Sequence, residues 1–216
     1  MTTRKKKRGE RTRTNDPERT KHDIVAVATH EFAENGLMGA RVDEIAARTK
    51  TSKRMIYYYF GSKEGLYLAV LEDAYRHIRN IEGELKVDHL SPEEGLAQLV
   101  RSTFDYHLTN PDFARLVMNE NMHRGEFIGQ SKIIQKLNVP AIQSVRTLYD
   151  RGRKAGVFRE GVDPVELHWT ISALCLFNVA NRYTFSIIFK RDLGSPAVLA
   201  ARRQTVVDTI LRGVRK

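Results

Sequence analysis

At 216 residues, 41% of them hydrophobic, the chain has enough apolar content for a real core and is long enough for one large domain or for a small one joined to a medium one. A formal charge of +10, from 36 Lys and Arg against 26 Asp and Glu, favours polyanionic partners, either nucleic acid or an anionic membrane surface. No apolar stretch approaches the about 18 residues of a membrane span and no signal peptide follows the first charges, so a cytoplasmic protein with no membrane partner is expected. The single cysteine, Cys175 in the run Ala173 to Phe177, excludes an intrachain disulfide and is expected in the core.

The chain opens with Arg4, Lys5, Lys6, Lys7, Arg8, Arg11 and Arg13, with only Glu10 among them. Such a block reads as a disordered, polyanion-seeking arm over residues 1–17, with a plain solubilising tail as the alternative. From Asp16 onward the pattern is helical nearly to the end, and no strand is convincing. Asp16-Pro17 starts a helix in which Ile24, Ala28 and Phe32 repeat at i+4 until Gly36. Two short helices follow, Val42 to Thr49 with Ile45 and Ala46 inward, and Ser52 to Tyr59 with Met55, Ile56, Tyr59 and Phe60 offered to the core. Gly61 breaks the chain, Ser62 caps a fourth helix, and Leu66, Val70, Ala74 and His77 mark its stripe to about Leu85. Ser91-Pro92, Asn110-Pro111, Asp163-Pro164 and Ser195-Pro196 each place a capping residue before Pro at the first helical position. A further helix runs from about Ile128 to Ala155, and the one starting at Pro164 is expected to reach about Lys190. The expected architecture is all-α with about nine helices: a three-helix DNA-binding domain over 18–78, then a larger helical domain over 79–216.

Two short helices joined by a turn of about three residues and buttressed by a preceding helix form a helix-turn-helix, here at about residues 41–60. The second helix of such a unit enters the major groove and reads bases mainly from its N-terminal end, where Lys53 and Arg54 stand. Successive helical residues are about 100° apart, so Tyr57, Tyr58 and Tyr59 cannot all be buried. With Ile56 and Phe60 as an inward pair, Tyr57 and Tyr58 share an outer surface with Arg54 and Tyr59 turns to the core; the alternative is that the rings complete a small core. Tyrosine hydroxyls bond phosphate, and their rings pack on sugar or a thymine methyl.

The segments Phe32-Ala33-Glu34-Asn35-Gly36, Val42-Asp43-Glu44-Ile45-Ala46 and Tyr57-Tyr58-Tyr59-Phe60-Gly61-Ser62-Lys63-Glu64-Gly65-Leu66-Tyr67 resemble, in order and spacing, the TetR/AcrR family of bacterial regulators. The resemblance implies that Tyr57 contacts the DNA backbone and Lys63 a phosphate. Where this family usually has Ser or Thr as a cap, Gly and Val in the turn and a smaller residue in the recognition helix, this chain has Arg41, Lys50, Thr51 and Arg54. Lys50 is thereby asked to take a positive backbone dihedral that Gly tolerates more easily, and the added cations are candidate phosphate contacts. Arg54 at the helix start is a candidate for bidentate reading of guanine.

Beyond the first third the likeness thins to helix count and order and is loosely similar to the pyrimidine-sensing RutR-type branch. It implies a homodimer through the last two helices, about 164–190 and 196–213, a small-molecule effector, and repression of a palindromic double-stranded DNA operator. The apolar girdle of Trp169, Ile171, Leu174, Leu176, Phe177 and Val179 is compatible with that, as it is with an ordinary buried helix. Polar groups set among apolar ones make Arg115, Asn119, His123, Phe127, Trp169, Asn178 and Arg182, with His168 and Asn181, candidate ligand contacts; an inward Arg115 or Arg182 would favour an acidic ligand. No phosphate-cradling loop, zinc helix or nucleophile elbow occurs, so no enzyme, cofactor or metal is expected. The competing reading is a ligand-independent architectural DNA-binding protein, which the basic arm would suit.

Overall fold

A computed structural model of the chain describes residues 16–216, so the basic arm expected over 1–17 lies outside the described residues except for its last two. The described residues form α1 (Pro17–Gly39), α2 (Val42–Thr49), α3 (Lys53–Phe60), α4 (Lys63–Gly83), α5 (Pro92–Thr109), α6 (Pro111–Met122), α7 (Lys132–Lys154), α8 (Pro164–Ala180), α9 (Arg182–Ile188) and α10 (Pro196–Val214). The only strand-like pairing among them is an isolated bridge between Phe158 and Arg215.

Three of the five residue-Pro starts are capped as expected: the side chains of Asp16, Ser91 and Asp163 accept from the backbone N–H of Arg19, Glu94 and Val165. The other two are not. Asn110 turns its amide to Tyr106 O at 3.0 Å, and the Ser195 hydroxyl points to Asp192 O at 3.4 Å, so both side chains serve the preceding turn and Pro alone sets the start. In α1 the regular helix stops at Gly36 (φ +64°), and one further turn reaches Gly39. On α4 the buried residues after Val70 are Leu71 and Ile78, whereas Ala74 is half-buried and His77 is exposed.

Two helix boundaries correct the sequence expectation. A 3-10 turn at Ile128–Gln130 precedes α7, which starts only at Lys132; Ser131 caps it, accepting from Ile134 N–H at 3.1 Å while its hydroxyl donates to Glu72 Oε1 at 2.6 Å. The helix expected over 164–190 is two, with α8 and α9 meeting at Asn181 at an angle of 63°. Near that break the Asn178 amide donates to Leu174 O and its Oδ1 accepts from Arg202 Nε at 2.9 Å, pinning the end of α8 to α10. Among the described residues the count is therefore ten α-helices rather than nine.

One core gathers Ile24, Ala28 and Phe32 of α1, Ile45 of α2, Ile56 of α3 and Leu66, Tyr67 and Val70 of α4. It also takes in Leu116 of α6 and Ile134 of α7, so the N-terminal helices are welded to the rest through apolar packing. A second core joins α5, α7, α8 and α10 around Val100, Phe104, Leu148, Ile171, Val207 and Ile210. Cys175 is fully buried there, and burial pushes its thiol up to about 12. Ile78, Tyr106 and Phe113 form a smaller cluster between the two, and α4 contributes to both sides, so a boundary at 78 falls inside a continuous helix.

Candidate functional site

The turn between α2 and α3 is built by local chemistry. Lys50 occupies the left-handed region (φ +53°, ψ +35°), which costs a non-glycine residue on the order of 1 kcal/mol. Ser52 then caps α3, accepting from Met55 N–H at 3.2 Å, and Ile56 anchors the helix in the core. Entry to α2 is held from a distance. Arg41 occupies its cap without a side-chain cap bond, but its N–H donates to Oε1 of the buried Glu31 on α1 at 3.0 Å. Exit from α3 is set by Gly61 (φ +76°) and by Ser62, which caps α4 through Gly65 N–H at 3.0 Å. Gly65 is needed there, because an added Cβ would stand 2.1 Å from Phe60 O.

The eight sequence-selected DNA residues group around α3. Arg54, Tyr57 and Tyr58 lie on its exposed side, Tyr58 being 77% exposed, while Tyr59 is half-buried with Lys21 over its ring at 5.7 Å. Arg41 and Lys50 are exposed and Thr51 is half-buried. Two of the cations already have partners: Lys53 Nζ is 2.7 Å from Asp43 Oδ1, which raises its pKa, and Lys63 Nζ donates to Met38 O at 3.2 Å. Lys63, the first residue of α4, thus ties that helix to the end of α1. Glu31 and Gly65 were not picked out by sequence reasoning, since their roles exist only once α1, α3 and α4 are packed.

The seven candidate ligand residues do not converge on one site: Arg115 and Asn119 share a cleft of about 280 Å³ between α1, α6 and the end of α8, Asn178 and Arg182 line another, and His123, Phe127 and Trp169 line neither. Arg115 faces outward between α1 and α6, pairing with Glu34 and with Asp112 at 3.1 Å, and His30 Nδ1 lies 3.1 Å from the same Asp112. Asn119 donates to Phe32 O at 3.4 Å, and His123 is exposed at the end of α6. Phe127 packs edge-on against Tyr67 at 5.2 Å, and Tyr67 in turn against Phe32 at 5.1 Å, an aromatic chain from the α6–α7 connection to α1. Beneath it, buried Glu120 accepts from the N–H groups of Phe127 and Ile128. Trp169 is 67% exposed on α8. Asn178, Asn181 and Arg182 line a cleft of about 250 Å³ between α8, α9 and α10, where the Arg182 guanidinium stacks on Tyr183 at 5.1 Å.

The interior between α4, α5, α7 and α8 holds a different set. A cavity of about 10 Å³, room for roughly one water, is lined by Glu82, Thr103, Ser144, Val145, His168 and Ile171. Arg79 pairs with Glu82, both side chains nearly enclosed, and its Nη1 lies 3.4 Å from His168 Nε2. Burial, reinforced by the Arg79 charge, holds His107 and His168 down to about 4, so both rings are neutral at neutral pH. Burial raises Glu82 while Arg79 opposes that shift. Arg79 Nε and His107 Nδ1 are buried without a hydrogen-bond partner. Of the candidate ligand contacts only His168 belongs to this set. The available signal was an Arg–Glu pair three residues apart beside Ile78, on the inner side of α4.

A capped recognition helix on a three-helix head, joined by apolar packing to a larger helical body, defines a helix-turn-helix DNA-binding regulator. Residues 24–70 match the family described as bacterial regulatory proteins, tetR family, and residues 92–210 match the tetracyclin repressor-like C-terminal domain. The chain is 33% identical over 204 residues to the HTH-type transcriptional repressor NicS of Pseudomonas putida, covering 94% of this chain and 96% of that one. It belongs to the tetR family of transcriptional regulators and is not an enzyme. RutR of Escherichia coli is 43% identical over 51 residues, 24% of each chain. The structure of SCO4942 from Streptomyces coelicolor superposes with a TM-score of 0.67 at 27% identity, covering 90% of this chain and 98% of that one. A tetR-family protein from Rhodococcus RHA1 shares the fold, with a TM-score of 0.71 at 19% identity, over 91% of this chain and 97% of its own. No single helix among the described residues is long and apolar enough to cross a membrane; α8 and α9 reach that composition only together, across their bend.

Proposed function

We propose that this chain is a cytoplasmic, homodimeric repressor that grips a palindromic operator through α3 and lets go when a small molecule occupies the interior between α4, α5, α7 and α8. The observation that carries the reading is the exposed Arg54, Tyr57 and Tyr58 face of a capped recognition helix. In this reading Arg54 reads a base edge, Tyr57 and Tyr58 contact backbone or a thymine methyl, and Arg41, Lys50, Thr51, Lys53 and Lys63 neutralise or position phosphates. Lys53 and Lys63 exchange Asp43 and Met38 O for phosphate as DNA docks. Val165, Trp169 and Phe177 on α8 and Val198 on α10, all exposed and apolar, support a second copy packed there. NicS, named a repressor, supports the repressive output.

The transmission path runs along α4, which carries Arg79 and Glu82 at one end and Tyr67 and Lys63 at the other. Effector binding favours the dimer shape whose two recognition helices miss their half-sites, and by linkage DNA weakens effector binding by the same factor. Fluorescence anisotropy of Arg54→Ala on an operator and on random duplex tests the base-reading role. A loss of about 1–3 kcal/mol on the operator with a smaller loss on random DNA is expected. Equal losses on both would reduce Arg54 to a phosphate contact. Binding without sequence preference and with steep salt dependence would favour an architectural protein.

A further inference from the structure

We propose that the effector is a small carboxylic acid whose carboxylate is held by Arg79 inside the α4, α5, α8 interior, and not by Arg115 or Arg182, which line clefts elsewhere. The inference rests on the ligand-responsive reading above and names the chemical class that reading leaves open.

Among the described residues Arg79 is the cation that faces Glu82 and His168 here, and its side chain is only 11% exposed. A guanidinium offers five donors in one plane and accepts none, and a buried donor left without an acceptor is unfavourable. Glu82 occupies Nη1 from one side, with His168 Nε2 at 3.4 Å, while Nε has no partner. His107, 97% buried and close enough for the Arg79 charge to act on it, also has an unpartnered Nδ1. An incoming carboxylate offers two acceptor oxygens matched to that fork; a primary amide offers one, and an ammonium offers none and is repelled.

The surroundings limit the rest of the molecule. The cavity beside Glu82 and His168, the two groups that contact Arg79, is about 10 Å³, so the ligand enters by parting the helices and must be small. Tyr75, Tyr106 and Phe113 pack edge-on to one another beside this set, and Thr103, Ser144 and Ser172 add hydroxyls around the cavity. A short apolar or planar tail suits those walls once the helices have parted. The ionisable groups facing Arg79 are Glu82 and Tyr75 from α4, Tyr106 and His107 from α5 and His168 from α8. The two neutral imidazoles stand where taking up a proton offsets a second carboxylate beside Glu82.

The test uses the full chain with straight-chain monocarboxylates from acetate to octanoate and benzoate, each beside its primary amide. Thermal shift and release of operator DNA are read on the unmodified protein, on Arg79→Gln, on Arg79→Lys and on the Arg115→Gln, Arg182→Gln double variant. At least one acid binds and releases DNA, with its amide roughly ten- to hundredfold weaker, the change expected from losing a charge-assisted hydrogen bond in a buried site. Arg79→Gln abolishes the preference, Arg79→Lys keeps part of it, and the double variant keeps it whole. Operator binding by each variant certifies its fold, and if Arg79→Gln fails that check, Arg79→Lys decides: full acid affinity without the planar fork overturns the proposal. Amides that bind as well as acids, or no acid binding while operator binding is intact, also overturn it. Release of DNA by neutral compounds alone removes the acid and leaves the repressor reading standing, whereas absence of any specific operator removes both.

Discussion

Replacing Gly65 by alanine sets two opposing effects against each other at the joint that aims the recognition helix. In the first turn of a helix, Gly to Ala is favourable by up to about 1 kcal/mol through propensity alone. Here the new Cβ would lie 2.1 Å from Phe60 O, the last carbonyl region of α3, and 3.6 Å from the Ser62 hydroxyl that caps α4. A carbon and a carbonyl oxygen need more than 3 Å, so the end of α3 must move away from α4 by about 1 Å, and Phe60 belongs to the margin of the N-terminal core. Overpacking of this kind costs roughly 1–3 kcal/mol, which exceeds the propensity gain. Gly65→Ala is therefore expected to lower stability by about 1–2 kcal/mol in urea unfolding. It also weakens operator binding beyond that change, because Arg54, Tyr57 and Tyr58 move with α3. A variant as stable as the parent, with unchanged operator affinity, would refute the claim that this contact fixes the pose of α3.

Acid should destabilise the fold through His107 and His168: the unfolded rings take protons near 6.5 and the folded ones only near 4, so stability is complete above about pH 6.5 and is lost as pH falls toward 4. The upper limit is roughly 3 kcal/mol per ring, and the His107→Gln, His168→Gln double variant should flatten the urea-midpoint profile in that window; an unchanged slope would contradict it. Relieving the left-handed Lys50 with glycine, or supplying α2 with its missing cap by Arg41→Thr, should each stabilise by about 1 kcal/mol in urea unfolding, while weakening DNA binding where the lost cation meets phosphate. Trp169→Glu on the exposed face of α8 should convert the dimer to monomer in sedimentation velocity at micromolar concentration and lose operator affinity with it; a variant that stays dimeric would move the interface elsewhere.

What was legible in the sequence was local. Capping residues before Pro mark the starts of five helices, and the i, i+4 spacing of Ile56 and Phe60 puts Tyr57 and Tyr58 outside. A positive dihedral at Lys50 followed from the family resemblance, which puts Gly at that place. The break at Asn181 had no Gly or Pro to announce it, and Asn178 bridging to Arg202 on α10 is a contact 24 residues away. The interior Arg79 escaped notice because charged residues on a long helix are ordinarily solvated, and only the packing of α5 and α8 encloses this one. Arg115 and Asn119 looked like ligand groups because they sit on an amphipathic helix; their partners turned out to be Glu34 and Phe32 O of α1. Polar residues that join two parts of one molecule carry the same sequence signature as polar residues that await a ligand.

The most direct test is selection of bound sequences from a random duplex pool by the full chain at about physiological salt, where nonspecific phosphate binding is already weakened. The account predicts enrichment of a palindrome whose half-sites are spaced by roughly one helical turn or a multiple of it, lost with Trp169→Glu and altered at one position in each half by Arg54→Ala. A pool that stays random, with binding that disappears as salt is raised, would contradict it.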